Sequence, residues 1–384
     1  MKVRALAVVH PGERSGLQSF WAARLAALAE ERVEVHLVVP PGAVEPALQA
    51  GIPRSKLIGL EFSRPRSLAH PIKNLRHIAR IPRDAVALKQ IARALDCDVI
   101  ISHGVHFLTA AVAARAFPYY VTLIHSDSPP RLLSVLLSMI KSPDIAGYEL
   151  ESSRARYAPL RAQKWIQLPP VLSKQFAGLT PSKRLPPDPW SPIAVGFVGT
   201  ITPRKRLDKF LSVADQLSRH RTPDQRRKFE FYIIGVIPEQ HRPHFENRHQ
   251  PVIDALRKSG LVIKFIDGRS GVRAGFSRID VLVLTSDSEG VPNVALESLS
   301  EGVPVVALDL EGVESLRSRL RRGLTYVNLV PRGQNEITAV AAAVREIAEH
   351  CPRSQQVAAE VREVFGAQRG ISELAHALIS LSSS

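Results

Sequence analysis

The stretch from residue 280 to 308 reads DVLVLTSDSEGVPNVALESLSEGVPVVAL, and it decides the fold. An apolar run, Val281–Leu284, is followed by an EGVP turn at 289–292, a helical piece that closes at 301–302, and the apolar run Val303–Leu308. The pattern predicts a strand, a tight turn, a helix and a second strand. Such a unit places a helix N-terminus at the carboxyl edge of a parallel sheet, where open α/β sheets bind their ligands.

Apolar runs alternate with helical patterns along the whole chain, which predicts parallel sheets. A chain of 384 residues exceeds the usual size of one core, so two domains are expected. Four prolines between 181 and 189 interrupt regular structure and mark a linker. We therefore predict an α/β fold of two Rossmann-like, doubly wound parallel-sheet domains that face each other across a cleft. The predicted parts are an N-terminal domain 1–181, a linker 182–192 and a C-terminal domain 193–384, whose last helix, about 365–384, is a candidate to cross back.

The predicted strands are short apolar runs. In the first half they are Val3–His10, Val33–Pro40, Lys56–Phe62, Val99–His103 and Tyr119–His125. In the second half they are Ile193–Val198, Phe229–Gly235, Val262–Gly268, Val281–Leu284 and Val303–Leu308. Helices are predicted at 16–31, from about Leu207, and over Asn335–His350 and Ser354–Leu381.

The composition is typical of a soluble globular protein, with 45% hydrophobic and 23% charged residues. Two cysteines, Cys97 and Cys351, provide neither a disulfide framework nor a cysteine-based metal site. The N-terminal residues Met1–Leu6 indicate a first strand and not a signal peptide, and no apolar run approaches the ~20 residues that cross a bilayer. These features predict a cytoplasmic protein, with the inner face of a membrane as a candidate site of peripheral attachment.

Two carboxylates, Glu289 and Glu297, flank the predicted helix start. Helical geometry separates such positions by about 80° and about 12 Å, so both side chains can contact one elongated ligand. Backbone N–H groups of Val291 and Asn293 can bind phosphate, and Pro292 suits a first helical position. The pattern indicates a nucleotide-sugar clamp, with amides on the diphosphate and carboxylates on hydroxyls. The alternative is a pair of solvated acids at a helix start.

Three cations, Arg204, Lys205 and Arg206, follow the predicted strand Ile193–Val198. Cations at the carboxyl end of a buried strand suit a diphosphate, which arginine can bind bidentately. An ordinary solvated basic loop is the alternative.

The first half contains two weaker signals. Gly16 lies between the first strand and a helix, where glycine allows a ligand to approach the backbone, although a simple turn is equally compatible. His125 ends the strand that begins at Tyr119, and it could donate a hydrogen bond or move a proton. His103 and His106 are alternatives, and a structural histidine is the plainer interpretation.

Residues 64–93 hold eight basic residues against one acid, Asp84. Apolar residues recur between the bases at helical spacing, a pattern suited to an anionic membrane surface. The alternative is a helix that packs on its own sheet and exposes a basic outer face. The net charge of +15 admits anionic partners in general, and an arginine-rich proteome would also produce it.

The order of these pieces resembles the family 4 glycosyltransferases, which have the GT-B architecture. The stretch 280–308 is similar to that family's signature: a hydrophobic strand, Ser, Glu-Gly-x-Pro, a second Glu with seven residues between the two, and Gly-x-Pro-Val-Val. The resemblance places Glu289 on the donor sugar, Glu297 on the ribose and Lys205 on the diphosphate. Where the family has an arginine after the glycine, this chain has Thr200, and Arg204 is the candidate replacement.

The resemblance also implies which residues are catalytic and which bind the donor. The implied catalytic residues are Glu289, His125 and Lys205. The implied donor-binding residues are Gly16, Gly199, Thr200, Arg204, Lys205, Glu289, Gly290, Val291, Pro292, Asn293 and Glu297.

The family's reaction is glycosyl transfer with retention of configuration and without a metal ion. By this resemblance we expect a hexosyltransferase-like enzyme that needs no cofactor and takes a nucleotide-diphosphate sugar, with UDP as the expected carrier. The expected acceptor is a glycan or lipid-linked glycan of bacterial surface polysaccharide or glycoconjugate biosynthesis. Cationic side chains would neutralise the departing diphosphate.

Two alternatives remain open, and two further ones are disfavoured. The substitution at Thr200 favours a catalytically silent nucleotide-binding or scaffold protein of the same fold. A nucleotide-sugar epimerase of the GT-B fold is another, whereas a phosphorylase would need a pyridoxal-binding lysine and a longer chain. A nucleic-acid-binding protein is suggested by charge alone, but only 6% of residues are aromatic and they do not interleave with basic residues, so we expect no nucleic-acid partner.

Overall fold

The computed structural model describes residues 2–9, 16–49, 51–61, 71–103, 117–124, 141–177, 191–219, 228–268 and 272–382. The chain divides into two compact units, one formed by Met1–Lys174 with Phe365–Ser384 and the other by Gln175–Val364. Each unit contains its own parallel sheet, so the predicted α/β class with two parallel-sheet domains is confirmed.

The described part of the first unit forms a seven-stranded parallel sheet in the order β3-β2-β1-β4-β5-β6-β7. Its strands are β1 (Val3–Val9), β2 (Val33–Val39), β3 (Leu57–Gly59), β4 (Val99–His103), β5 (Tyr119–Ile124), β6 (Ile145–Tyr148) and β7 (Lys164–Gln167). The order reverses between β1 and β4, which makes that position the topological switch point of the sheet.

Helices cover both faces of this sheet. They are α1 (Gly16–Glu30), α2 (Val44–Gln49), α3 (Pro71–Ala94) and α4 (Glu151–Tyr157), while the short α5 (Lys174–Ala177) spans the unit boundary. On one face, Trp21 and Leu28 of α1 are fully buried against Val35 and Ile101. On the other face, α3 inserts Leu88 beside a second set of strand residues.

The second unit has a six-stranded parallel sheet in the order β10-β9-β8-β11-β12-β13 within the described residues. Its strands are β8 (Ile193–Val198), β9 (Phe229–Gly235), β10 (Val262–Asp267), β11 (Val281–Leu284), β12 (Val305–Leu308) and β13 (Val327–Val330). Its switch point lies between β8 and β11, where both apolar runs are fully buried.

The helices of the second unit connect and cover these strands. They are α6 (Leu207–Arg219), α7 (Arg242–Arg248), α8 (Gln250–Lys258), α9 (Val272–Phe276), α10 (Asn293–Ser300), α11 (Glu311–Arg317), α12 (Gly323–Tyr326), α13 (Glu336–His350) and α14 (Gln355–Phe365). Helices α6 and α13 share one core with the sheet, in which Phe210 and Val344 are completely buried beside Phe231.

Most predicted strands are confirmed, and four of them have the predicted bounds: Val99–His103, Ile193–Val198, Phe229–Gly235 and Val281–Leu284. Other strands are shorter than predicted. Strand β3 ends at Gly59, and β12 begins only after Pro304, because proline lacks the N–H group that a strand hydrogen bond needs. The prediction missed β6, β7 and β13, each only four residues long. The predicted strand ends His10, Phe62 and His125 lie outside the described residues.

The predicted helical stretch Ser354–Leu381 is two helices, because the chain bends at Gly366 between α14 and α15 (Ala367–Ser382). Helix α15 corresponds to the predicted last helix, about 365–384. Glycine is a poor helix former and allows the change of direction. Helix α15 belongs to the first unit, where Leu374 and Leu378 are buried with residues of α1. The division between the units falls between Lys174 and Gln175, ahead of the predicted linker, most of which lies outside the described residues.

Helix α3 covers most of the basic segment 64–93. Where its side chains are described, Ala85 and Leu88 are buried in the first unit, whereas Arg80, Arg83 and Arg93 are exposed. This part therefore matches the alternative of a helix that packs on its own sheet and exposes a basic outer face, and contact with a membrane stays a prediction. Within the described parts of the chain, no helix is long and apolar enough to span a bilayer.

We expect Leu374→Ala to destabilise the first unit by about 2–5 kcal/mol, because the substitution leaves a cavity in a core that α15 completes. Urea unfolding followed by tryptophan fluorescence measures the change, because two of the three tryptophans, Trp21 and Trp165, belong to the first unit. The control His376→Ala alters an exposed position of the same helix and should stay within about 0.5 kcal/mol of wild type. Equal stability of all three proteins would contradict the assignment of α15 to this core.

Candidate functional site

The carboxyl ends of β8 and β11 lie side by side at the switch point of the second unit. The two strands pair in parallel, with Val281 opposite Val195 and Leu282 opposite Gly196. The loop after β8 carries the predicted cations, and the loop after β11 carries the EGVP turn. The structure therefore brings the two strongest sequence signals to one edge of the sheet, where doubly wound folds bind ligands.

Hydrogen bonds join these two loops. The Asp287 N–H donates to the Arg204 carbonyl at 2.9 Å. The Thr285 hydroxyl donates to the Arg206 carbonyl at 2.9 Å and lies 3.2 Å from the Lys205 carbonyl oxygen. The Arg206 guanidinium pairs with Asp287 at 3.0 Å. These bonds connect segments that are far apart in sequence and hold the cations and the turn as one structure.

Glu289 lies between two of the predicted cations. Its Oε1 is 2.5 Å from Lys205 Nζ, and its Oε2 is 3.1 Å from Arg204 Nη1. The side chain is 8% exposed. Burial by itself would raise the pKa of Glu289, but the charges of Lys205 and then Arg204 outweigh it and lower the pKa. Glu289 is therefore ionised at neutral pH, and each of its two carboxylate oxygens contacts a different cation.

The EGVP turn leads into α10, which begins at Asn293. Pro292 takes an extended conformation and is the N-cap residue of the helix. It therefore lies one position before the first helical position that was predicted for it. Its side chain is buried with that of Val291, whereas Asn293 is partly exposed. An α-helix leaves the N–H groups of its first turn without partners in the helix, so those of Asn293 and Val294 can meet an anion.

Glu297 differs from Glu289 although both belong to the same turn and helix. It is partly buried, and no ion pair joins it to another described residue. Burial raises the pKa of Glu297 to about 8. A carboxyl group that holds its proton at neutral pH can both donate and accept hydrogen bonds, as contact with hydroxyl groups requires.

Two glycines that the sequence analysis did not select support these loops. A Cβ atom on Gly312 would overlap the carbonyl oxygen of Gly290, and one on Gly235 would overlap that of Gly199. Gly199 itself has φ 142°, a conformation that side chains disfavour. Gly235 directly follows an apolar run and Gly312 directly follows Glu311, and neither context is distinctive enough to identify a supporting position.

Arg332 is a further residue that the sequence analysis missed. It follows β13 and donates hydrogen bonds to the carbonyls of Ser286 at 2.7 Å and Asp309 at 3.1 Å. The guanidinium thereby connects the ends of β11, β12 and β13, next to the turn that carries Glu289. No motif surrounds Arg332, so only the folded chain identifies it.

The site residues predicted in the first unit are not among the residues whose contacts are described above. Gly16 is the first described residue of α1, and His125 and its alternative His106 lie outside the described residues. The other alternative, His103, is buried at the end of β4 and accepts a hydrogen bond from the Trp21 indole N–H at 2.8 Å on Nδ1. This contact is typical of a histidine held within a core. The roles of Gly16 and His125 stay predictions.

Residues 192–350 match the family Glycosyl transferases group 1. The matched segment lies inside the second unit and includes both loops of the site. No curated protein matches the chain in sequence.

Solved structures show the fold of the whole chain. A glycosyltransferase from Rickettsia africae is 13% identical with a TM-score of 0.75, covering 100% of this chain and 99% of that one. Anabaena HepE in complex with UDP and glucose is 17% identical with a TM-score of 0.70, covering 98% and 100%. Sucrose-phosphate synthase from Thermosynechococcus elongatus is 15% identical with a TM-score of 0.72, covering 100% of both chains. Together with the two parallel sheets, these likenesses establish the predicted GT-B fold.

We expect Gly312→Ala to destabilise the second unit by about 1–3 kcal/mol, because the new methyl group forces the backbone at Gly290 to move. Differential scanning calorimetry of both proteins measures the change. Gly333→Ala is a matched control, since a Cβ there meets nothing within 4 Å, and it should melt like the wild type. An unchanged melting temperature of Gly312→Ala would contradict the close packing of this turn.

We expect Glu297→Gln to stabilise the protein increasingly as pH rises from about 5 to about 8. Between the unfolded value of 4.5 and the folded pKa of about 8, the folded state keeps a proton that the unfolded state releases. Wild-type stability therefore falls across this window by at most about 1.4 kcal/mol per pH unit and levels off above it. Glutamine does not titrate, so the variant escapes this loss.

Melting temperatures of the wild type and Glu297→Gln from pH 5 to pH 9 measure this difference. Glu363→Gln, at an exposed position of α14, should follow the wild-type profile. A gap between Glu297→Gln and wild type that stays constant over the whole range would count against a proton on Glu297.

Proposed function

We propose that the protein is a retaining, metal-independent glycosyltransferase that moves a sugar from a nucleotide-diphosphate donor to a glycan or lipid-linked glycan. The observation that carries this proposal is the position of Glu289. It lies within bonding distance of Lys205 and Arg204, at the sheet's switch point and inside the segment that matches Glycosyl transferases group 1. Cations, helix N–H groups and a carboxylate together suit a ligand that has both phosphates and hydroxyls.

Each group has a proposed part in donor binding. Lys205, Arg204 and the N-terminus of α10 bind the diphosphate, and Glu289 accepts hydrogen bonds from the sugar hydroxyls. Glu297 binds the ribose hydroxyls, in keeping with a carboxyl group that carries no paired cation among the described residues. His125 and Gly16 are the proposed contributions of the first unit.

The proposed reaction breaks the bond between the anomeric carbon and the phosphate oxygen through an oxocarbenium-like state. The acceptor hydroxyl attacks from the face that the diphosphate leaves, and its proton passes to the departing phosphate oxygen. Negative charge grows on that diphosphate as the bond breaks. Lys205, Arg204 and the N–H groups of α10 therefore stabilise the transition state more than the bound donor, which is the condition for catalysis.

Arg204 is the proposed replacement for the arginine that the family has where this chain has Thr200. Its guanidinium reaches Glu289 beside Lys205, which supports this assignment. If Arg204 does not replace the missing cation, a silent nucleotide-binding protein becomes the better description, and binding of a donor without turnover would reveal it.

UDP is the proposed carrier. Anabaena HepE, a protein of the same fold, has been solved with UDP and with UDP-glucose, which supports this choice. We also propose that segment 64–93 attaches the protein to the inner face of a membrane, where a lipid-linked acceptor would lie. The proposed role of the reaction is in bacterial surface polysaccharide biosynthesis.

A thermal-shift screen across UDP-, GDP-, ADP- and TDP-sugars should identify one donor, because a ligand that binds only the folded state raises the melting temperature. With that donor, Glu289→Ala should lower turnover at least about 100-fold, since it removes a group aimed at the reacting sugar. Release of nucleoside diphosphate, in water and with a panel of glycan acceptors, measures turnover.

The matched control Glu246→Ala removes an exposed glutamate of the same unit and should stay within about twofold of wild type. Both variants should melt cooperatively. Undiminished turnover by Glu289→Ala would remove the proposed role of this residue. Conversion of the donor to another nucleotide sugar, with no acceptor present and no release of nucleoside diphosphate, would indicate an epimerase.

A further inference from the structure

We propose that Glu289 is a specificity-determining residue that makes the site favour a sugar-bearing diphosphate over the bare nucleoside diphosphate. This inference rests on the proposed function, because it assumes that Lys205 and Arg204 are the cations that bind phosphate. It extends that function by assigning to Glu289 a second effect, the weakening of product binding.

Both oxygens of the Glu289 carboxylate are engaged by these cations. Oε1 lies 2.5 Å from Lys205 Nζ and Oε2 lies 3.1 Å from Arg204 Nη1. The exposed fractions of the Lys205 and Glu289 side chains are only 14% and 8%. The Arg204 side chain, by contrast, is 49% exposed. The Lys205–Glu289 pair is therefore the part of this cluster that salt screens least, and through it the carboxylate acts on any other anion that approaches.

A phosphate that binds Lys205 and Arg204 must therefore share them with a carboxylate or displace it. An ionised carboxylate is an acceptor only, and so is a phosphate oxygen, so the two cannot hydrogen-bond and they repel each other. A bare diphosphate offers nothing that offsets this repulsion. A donor sugar brings hydroxyl groups, which donate to the same carboxylate and offset it.

The surrounding structure prevents Glu289 from turning away with its loop. Arg332 holds the carbonyl of Ser286, and Arg204 donates to the carbonyl of Ser288 at 2.5 Å. On the other side, Gly312 packs closely against the carbonyl of Gly290. Because the backbone is fixed on both sides of Glu289, the carboxylate cannot leave the cations by a movement of the loop and could do so only by rotation of its own side chain.

A neighbouring acid provides a control. Glu336 pairs with Lys209 at 2.7 Å, on the same unit, and it contacts neither Lys205 nor Arg204 among its described partners. Glu336→Gln thus removes the same charge as Glu289→Gln but leaves the proposed phosphate-binding cations as they are. Any general effect of net charge on anion binding appears in both variants, and the specific effect only in Glu289→Gln.

Isothermal titration calorimetry on the full chain with inorganic pyrophosphate and with UDP tests the inference. Pyrophosphate makes the result independent of the base, and the diphosphate of whichever donor the screen identifies replaces UDP if it differs. Glu289→Gln should bind both ligands at least about tenfold more tightly than wild type. Glu336→Gln should change both affinities by less than about threefold.

The sugar-bearing donor should behave in the opposite way. Glu289→Gln should bind it no more tightly than wild type, so the preference for donor over bare diphosphate falls at least about tenfold. Glu289→Ala, which also removes the charge, should show the same gain for pyrophosphate, so a folding defect in one variant does not decide the outcome.

Pyrophosphate and diphosphate affinities that are unchanged or weaker in both Glu289 variants, at wild-type melting temperature, would overturn the inference. The proposed function would survive that result if the wild type still binds and turns over a nucleotide sugar. Failure of the wild type and both variants to bind pyrophosphate or any nucleoside diphosphate would overturn the inference and the proposed function together.

Discussion

The shared carboxylate of Glu289, held by Lys205 and Arg204, is the interaction on which the candidate site depends. It exists because β8 and β11 are neighbours at the switch point, so the loops that leave their carboxyl ends run side by side. The rest of the local structure supports this arrangement. Hydrogen bonds from Thr285 and close packing at Gly312 fix the loops, and a buried ion pair gains from such preorganisation.

One short segment provides two carboxyl groups in different chemical states. Cations lower the pKa of Glu289, whereas burial raises that of Glu297 to about 8. At neutral pH, therefore, Glu289 in the turn is ionised and Glu297 in the helix that follows is protonated. Groups whose surroundings separate their pKa values in this way suit different tasks on one ligand. The same segment thus contributes a charged acceptor and a neutral hydrogen-bonding group.

Much of the fold could be predicted from apolar periodicity, and the reasons for the failures are physical. Runs of buried residues such as Ile193–Val198 and Phe229–Gly235 read clearly, since a central parallel strand is apolar on both faces. The four-residue strand Lys164–Gln167 at the sheet edge does not stand out, because it is short and has polar residues at both ends, whereas the equally short Val281–Leu284 is entirely apolar. Helical periodicity continues on both sides of Gly366, so the apolar pattern over Ser354–Leu381 does not by itself show the bend.

The amino-acid sequence by itself determined the apolar runs, the EGVP turn, the basic loop and the alternation that requires parallel sheets. Only the tertiary structure decided that Glu289 meets Arg204, a partner 85 positions away, and that α15 completes the core of the first unit. It also identified Arg332, which no local pattern marks. The reason is that periodicity specifies which face of an element is buried, whereas the partner on that face depends on the strand order of the whole sheet.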